Sequence, residues 1–268
     1  MKKERIDVLL TQLGYFSSRE NAKRAIMAGL VLVNQERVDK PGEKVPVEAV
    51  ITVKGNVCPY VSRGGLKLEK ALQTFAIDLK DKIIIDIGAS TGGFTDCALQ
   101  NGAKLSYAVD VGYNQLDWKM RQDERVICME RTNFRYMTPE DLAYGAPQFA
   151  CIDVSFISLK IIFPVLKQLL EKNGEVVALI KPQFEAGKDQ VGKKGIVRDP
   201  KVHAKVVKEI LDFITALELS VLGLTYSPIK GGEGNIEFLA YIKYQDEVCT
   251  SIDEKEIERI VADAHQQL

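Results

Sequence analysis

Ile83-Ile84-Ile85-Asp86-Ile87 reads as a buried strand, and it runs without interruption into Gly88-Ala89-Ser90-Thr91-Gly92-Gly93 and then the helical pattern that opens at Phe94-Thr95. A short apolar strand delivered straight into a glycine-rich turn and a helix is the building step of a parallel sheet covered by helices. The rest of the chain keeps that rhythm. Apolar strands are expected at about 105–110, 126–129, 149–153, 175–181, 221–226 and 236–242, with helices at about 63–77, 93–101, 157–172 and 201–217. The expected class is α/β, a doubly wound, Rossmann-like sheet. No internal repeat or low-complexity tract interrupts it.

The first 55 residues follow a different pattern. Ile6, Leu9, Leu10 and Leu13 form one helical face closed by Gly14. Ser17-x-x-Glu20 reads as a capping box opening a second helix, with Ala22, Ala25 and Ile26 on its apolar face and Gly29 as its stop. Leu30-Val31-Leu32-Val33 and Val50-Ile51-Thr52-Val53 read as short strands. Lys3, Arg5, Arg19 and Lys23 are left to form a basic face.

Composition hides this module. The 268 residues carry a formal net charge of −1 and a pI of about 6.2. Yet residues 1–55 hold ten Lys/Arg against seven Asp/Glu, whereas residues 245–268 hold two against seven. Neutrality is the sum of a basic front and an acidic end, so the pI excludes no nucleic-acid partner. The five cysteines are scattered without a C-x-x-C pair, far from His203 and His265, which points to a reduced, cytoplasmic protein without a zinc site. No apolar run is long enough for a membrane span, and the charged start Lys2-Lys3-Glu4-Arg5 does not suit a signal peptide.

The turn after the buried strand is a ligand site by its chemistry: glycines admit close approach, and a helix N-terminus presents unpaired N–H groups. Asp110 ends the next strand, where a carboxylate meets a ribose diol. A dinucleotide site would have G-x-G-x-x-G, but here Asp86-x-Gly88-x-x-x-Gly92-Gly93 is similar to the first motif of S-adenosylmethionine-dependent methyltransferases. Four more polar residues call for an explanation: Lys67 on the preceding helix, Asp153 and Lys181 at strand ends, and Glu237 at a strand start.

The N-terminal order of helix, basic helix, L-V-L-V-N and hairpin resembles the S4 RNA-binding domain. The K…D…K…E set around the glycine turn resembles the FtsJ-type ribose 2′-O-methyltransferases. With the strings S-R-G-G-L-K-L, G-A-S-T-G-G-F-T-D, D-V-S-F-I-S and K-P-Q-F-E, the whole chain resembles the hemolysin A family of ribosomal RNA methyltransferases. That resemblance implies an S4 domain over 1–55, a linker over 56–61, a methyltransferase domain over 62–245 and an acidic helix or tail over 246–268. It implies a Lys67, Asp153, Lys181 and Glu237 tetrad, and S-adenosylmethionine held by Asp86, Gly88, Ser90, Thr91, Gly92, Gly93, Phe94, Asp110, Asn133 and Phe134. It further implies methylation of the 2′-OH of cytidine in ribosomal RNA, within a ribosomal subunit.

The tetrad chemistry can be argued on its own. A ribose hydroxyl is a poor nucleophile and needs a base and in-line placement. Lys181 is the candidate base, Asp153 its anchor, and Lys67 and Glu237 the orienting pair. Arg63 and the loop bearing Lys188, Lys193 and Lys194 are candidate RNA contacts, the loop being equally readable as solvated. The turn Ile229–Asn235 is placed to touch substrate, and Tyr113 with Trp118 reads as core. The rivals are a non-catalytic RNA-binding or assembly factor, which the intact tetrad disfavours, and a membrane-damaging haemolysin, which the absence of an apolar span disfavours.

Overall fold

The computed structural model describes residues 3–16, 18–54 and 58–268, which divide into one unit ending at Pro59 and a second running from Tyr60 to Leu268. The first contains β1 (Lys3–Arg5), α1 (Ile6–Gln12), α2 (Arg19–Met27), β2 (Val31–Val33), β3 (Glu36–Arg37), β4 (Lys44–Pro46) and β5 (Ile51–Val53). Strands β3, β2 and β5 form one small antiparallel sheet, and β1 pairs with β4. Ile6, Leu10, Ala22, Ile26 and Val31 are fully buried between them. Ser17 lies outside the described residues. The cap of α2 is Ser18, whose hydroxyl accepts from the Asn21 N–H, and Glu20 instead pairs with Lys23 at 3.2 Å.

A buried carboxylate organises the basic face of this unit. Asp7 is fully buried, accepts both Arg5 Nε (3.0 Å) and Nη2 (3.1 Å), and also accepts Arg19 Nη2 at 2.9 Å. The Arg5 fork, with Arg19 beside it, holds the Asp7 carboxyl down at about 2. Both guanidinium groups stay about half exposed, so they are oriented without being consumed.

The second unit contains α3 (Gly64–Phe75), β6 (Ile83–Ile87), α4 (Gly93–Gln100), β7 (Leu105–Val109), α5 (Trp118–Arg121), β8 (Val126–Met129), β9 (Phe149–Ile152), α6 (Leu159–Leu169), β10 (Glu175–Ile180), α7 (Pro182–Glu185), α8 (Pro200–Ala216), β11 (Ser220–Tyr226), β12 (Phe238–Lys243) and α9 (Glu254–Gln267). The seven-stranded sheet runs β11-β12-β10-β9-β6-β7-β8, and only β12 is antiparallel to its neighbours. From β6 the chain steps one way to β7 and β8 and then crosses back to β9, on the other side of β6. This reversal opens a crevice beyond the carboxyl ends of β6 and β9.

Alternate strand positions serve opposite faces. Ile85, Ile87, Tyr107, Ala150 and Ala178 face a cluster closed by Phe163 of α6, Val207 and Ile210 of α8 and Ile257, Ile260 and Val261 of α9. Helices α3 and α4 pack against each other, with α3 touching β11 and β12 and α4 touching β6 and β7. One sequence expectation changes here. Tyr60 and Val61, expected in a linker, are buried: the Tyr60 hydroxyl donates to Glu69 and the Val61 N–H to Asp96. Of the helix or tail expected at the acidic end, the structure has a helix: α9 lays an apolar stripe into the core and keeps its acids outside and at its N-terminus, where they favour the helix dipole. His265 of α9 meets fully buried His203 of α8 at 2.9 Å, and burial lowers the pKa of His203 to about 4.

Among the described residues no helix is long and apolar enough to cross a membrane. Phe163→Ala, at the centre of the larger core, is expected to cost about 3–5 kcal/mol, read as a drop in thermal midpoint.

Candidate active site

The crevice contains two adjoining cavities, of about 550 and about 360 Å³, which share Gly88, Ser90, Asp153 and Ser155 as walls. The first is lined further by Lys67, Asp86, Lys181 and Glu237, the second by Val109, Asp110, Asn133, Phe134, Ile157 and Ile162. One is strongly polar at its base. The other is an apolar slot with a carboxylate at its edge.

The tetrad residues converge from four different elements. Lys67, on the first turns of α3, donates to Asp153 Oδ2 at 3.1 Å and to Glu237 Oε2 at 2.8 Å. Lys181, ending β10, has Asp153 Oδ1 at 2.5 Å and donates to Ser155 Oγ at 3.1 Å. Asp153, just beyond β9, is therefore shared by both ammonium groups. Burial works against charge on Lys67, yet the Asp153 and Glu237 carboxylates outweigh it and raise its pKa. Burial works against charge on Asp153 too, and Lys67 and Lys181 outweigh it, so its pKa falls. Glu237 is 2 % exposed, and its other oxygen accepts from Gln183 Nε2 at 3.3 Å.

The turn after β6 is shaped by close approach. Gly88, at φ +86°, leaves so little room that a Cβ there would sit 2.6 Å from the Asp153 carbonyl oxygen. Only glycine combines that conformation with that contact. Gly92 lines neither cavity: at φ +91° it caps α4, and a Cβ would meet Leu116 at 2.8 Å. Thr91, Gly93 and Phe94 line the first cavity. Asp110 accepts the Ser90 N–H and the Gly112 N–H, both at 2.7 Å, which ties the turns after β6 and β7 together. Asn133 caps a short 3₁₀ turn with its side chain, and Phe134 belongs to the core while forming the slot wall.

Asp86 is fully buried and bonds through one oxygen to the Thr95 N–H (3.0 Å) and hydroxyl (2.8 Å). Its other oxygen is buried without a partner. Burial pushes its pKa up to about 7. A partnerless acceptor on a residue of the cavity wall fits a ligand that brings a cationic donor. The apolar slot fits a planar base, and Asp110 a sugar diol. Together these are the chemical features of S-adenosylmethionine. No three His, Cys, Asp or Glu side chains form a metal cluster among the described residues.

Of the candidate RNA contacts in this unit, Arg63 lines the larger cavity, while Lys188, Lys193 and Lys194 are exposed on 3₁₀ turns and line neither. Their loop is fastened at its far end, where Asn235 Oδ1 accepts the Val197 N–H and Asn235 Nδ2 donates to the Gly195 carbonyl. Lys230 and Glu233, on the larger cavity, belong to the turn 229–235 expected to touch substrate, whereas nothing in the sequence marked Ser155, which lines both cavities. Ser155 sits inside D-V-S-F-I-S, next to the aspartate that drew attention. Tyr113 and Trp118, read as core, are 65 % and 70 % exposed; Arg131 stacks over the Tyr113 ring at 4.0 Å.

Gly231 packs against the tetrad: a Cβ there would lie 2.0 Å from Glu237 Oε1. Gly231→Ala is expected to push that carboxylate off Lys67, visible in a crystal structure as a shift of about 1 Å or more; an unmoved carboxylate would count against this packing argument. Asp86 also makes stability depend on pH. Its raised pKa means the native state binds the extra proton between about 4 and about 7, so its contribution is complete below about 4 and falls as pH rises to about 7. Asp86→Asn should flatten that part of a stability–pH curve measured by denaturant unfolding.

The comparisons with known proteins identify the family. The S4 domain model matches residues 4–51, and the FtsJ-like methyltransferase model matches residues 60–244. "Putative rRNA methyltransferase YqxC" of Bacillus subtilis is 62% identical, over 100% of this chain and 96% of its own. The 16S/23S rRNA (cytidine-2′-O)-methyltransferase TlyA of Mycobacterium tuberculosis is 38% identical, covering 93% of each chain. A solved structure described as "Putative hemolysin from Streptococcus thermophilus" superposes with a TM-score of 0.80 at 55% identity, covering 100% of this chain and 97% of that one. With its catalytic fold matched along the length of the second unit and an S4 domain before it, the chain belongs to the FtsJ-like methyltransferase family.

Proposed function

We propose that this protein transfers a methyl group from S-adenosylmethionine to the ribose 2′-OH of cytidine in ribosomal RNA, with Lys181 as the base. The observation that carries the reading is the sharing of Asp153 between two buried lysines at the junction of the two cavities. The named activity of the TlyA relative supports the substrate class, and the S4 domain supports an RNA partner.

The cofactor, when bound, supplies an electrophilic methyl on a sulfonium centre. Asp110 would hold its ribose, the slot walled by Phe134 and Ile157 its base, and the partnerless oxygen of Asp86 with the turn Gly88–Gly93 its amino-acid end. The rest is done by the chain's own groups. Lys67, clamped between two carboxylates, stays charged and is unsuited to accept a proton. Lys181 has a single carboxylate and a neutral hydroxyl as partners, so only one ion pair is given up when its amine acts as a base. Asp153 ties the two lysines together, and Glu237 holds Lys67. Arg63 and Lys230 at the cavity supply positive charge for the phosphates flanking the target sugar. In the first unit, Arg5 and Arg19, aligned by Asp7, present paired guanidinium groups suited to the phosphate pattern of folded RNA.

Incubation of the protein with methyl-labelled cofactor and ribosomal subunits should label RNA, and mapping of ribose methylation should place the label on cytidine 2′-oxygens. Lys181→Ala should retain cofactor binding and lose about 10²–10⁴-fold in methyl transfer. Label absent from RNA with the wild-type protein would favour a binding or assembly role instead.

A further inference from the structure

Lys181 makes one contact that the tetrad pattern does not contain. Its Nζ donates to Ser155 Oγ, two residues beyond Asp153, and Ser155 stands where the two cavities meet. The backbone around this serine is unusual. Phe156 adopts φ +63°, an uncommon conformation for a bulky aromatic residue, with its side chain 90 % exposed. Its ring lies 4.8 Å from that of Phe184, in the short helix α7 that follows Lys181. Local strain of this kind persists where surrounding contacts fix it, and here those contacts join the segment bearing Ser155 to the segment bearing the lysine.

We propose that Ser155 is a positioning residue that aims the lone pair of Lys181 at the substrate hydroxyl. The proposal rests on the assignment of Lys181 as base. A neutral lysine amine has two N–H bonds and one lone pair. Asp153 Oδ1 and Ser155 Oγ each accept one N–H, which leaves the remaining tetrahedral position to the lone pair. With Asp153 as sole acceptor, the amine would turn about its Cε–Nζ bond and the lone pair would sweep a cone. In the reaction the ribose O–H bond breaks and its proton goes to the Lys181 lone pair. The oxygen forms a bond to the methyl carbon, and the carbon–sulfur bond breaks with its electron pair remaining on sulfur. Since the two other N–H bonds are already engaged, the lysine becomes an ammonium without reorienting.

A hydroxyl suits this task better than a second carboxylate. Lys67 is the comparison within the same site: two carboxylates orient it and thereby keep it charged. Ser155 supplies direction with no added negative charge. The other charged groups around Lys181 are Asp153 beyond β9, Lys67 on α3 and Glu237 before β12, with Asp86 of β6, Arg63, Lys230 and Glu233 on the wall of the larger cavity.

Single-turnover methyl transfer across pH 6–10, together with calorimetric binding of S-adenosylhomocysteine, tests this in Ser155→Ala, Ser155→Thr and Lys181→Ala. Ser155→Ala should slow transfer by about ten- to a hundredfold, in line with the cost of small misplacements. Its cofactor affinity should stay within about twofold. The loss should lie in the rate of transfer and not in cofactor binding. Ser155→Thr, which keeps the hydroxyl, should recover most of the rate. A wild-type rate in Ser155→Ala would overturn the proposal. So would a uniform loss at every pH accompanied by weakened cofactor binding, which would assign the serine to the cofactor. Wild-type transfer by Lys181→Ala would instead overturn the base assignment, whatever Ser155 does.

Discussion

One carboxylate holds the catalytic unit together at its centre. Asp153 pairs with two buried ammonium groups, one from a helix preceding the sheet and one from the end of β10, and Glu237 supplies the second negative charge. Removing it would leave two like charges facing each other in a poorly solvated crevice, the situation in which a buried ion pair becomes expensive. Its own position follows from the sheet. The Asp153 N–H continues the β6–β9 ladder to the Ile87 carbonyl at 3.0 Å, and its carbonyl presses on Gly88. The bare glycine turn and the acidic hub are thus one device, since widening either would displace the other.

The first unit repeats this arrangement of charges with its cations at the surface. There a buried carboxylate gathers two exposed guanidinium groups, and their number exceeds what it can neutralise. The positive remainder is directed outward. The chain's near-zero net charge conceals this arrangement because the compensating acids lie on α9 and the segment before it, far along the sequence and in the other unit.

Much of this was legible in the residue order, for identifiable reasons. The strands β6, β7, β9 and β10 are nearly continuous apolar runs, so their positions follow from burial on both faces and needed no tertiary knowledge. Asp153 and Lys181 could be placed because polar residues ending such strands face the crevice. Lys67 was reachable only through resemblance, since helical periodicity places no single lysine beside a strand end. Other features depend on neighbours distant in sequence. Whether Tyr113 and Trp118 are covered is decided by what crosses the loop after β7, and nothing does so fully. The docking of α9 depends on a groove made by α8 and β11, which its own charged sequence does not reveal. Ser155 was invisible because a serine acquires a task only through the Phe156 backbone and the lysine it meets.

The turn before β12 has an evolutionary consequence. Gly231 is locked by the Glu237 carboxylate behind it, whereas an added Cβ at Gly232 would meet nothing within 4 Å. Gly234 has open space too, but its φ of +90° holds it to glycine. Lineages that drift toward a different target sequence have freedom at 232, on the wall of the larger cavity. Position 231 is closed to them, because any side chain there disturbs the chemistry before it can alter recognition. The turn therefore separates, between two adjacent residues, what can diversify from what must be inherited unchanged.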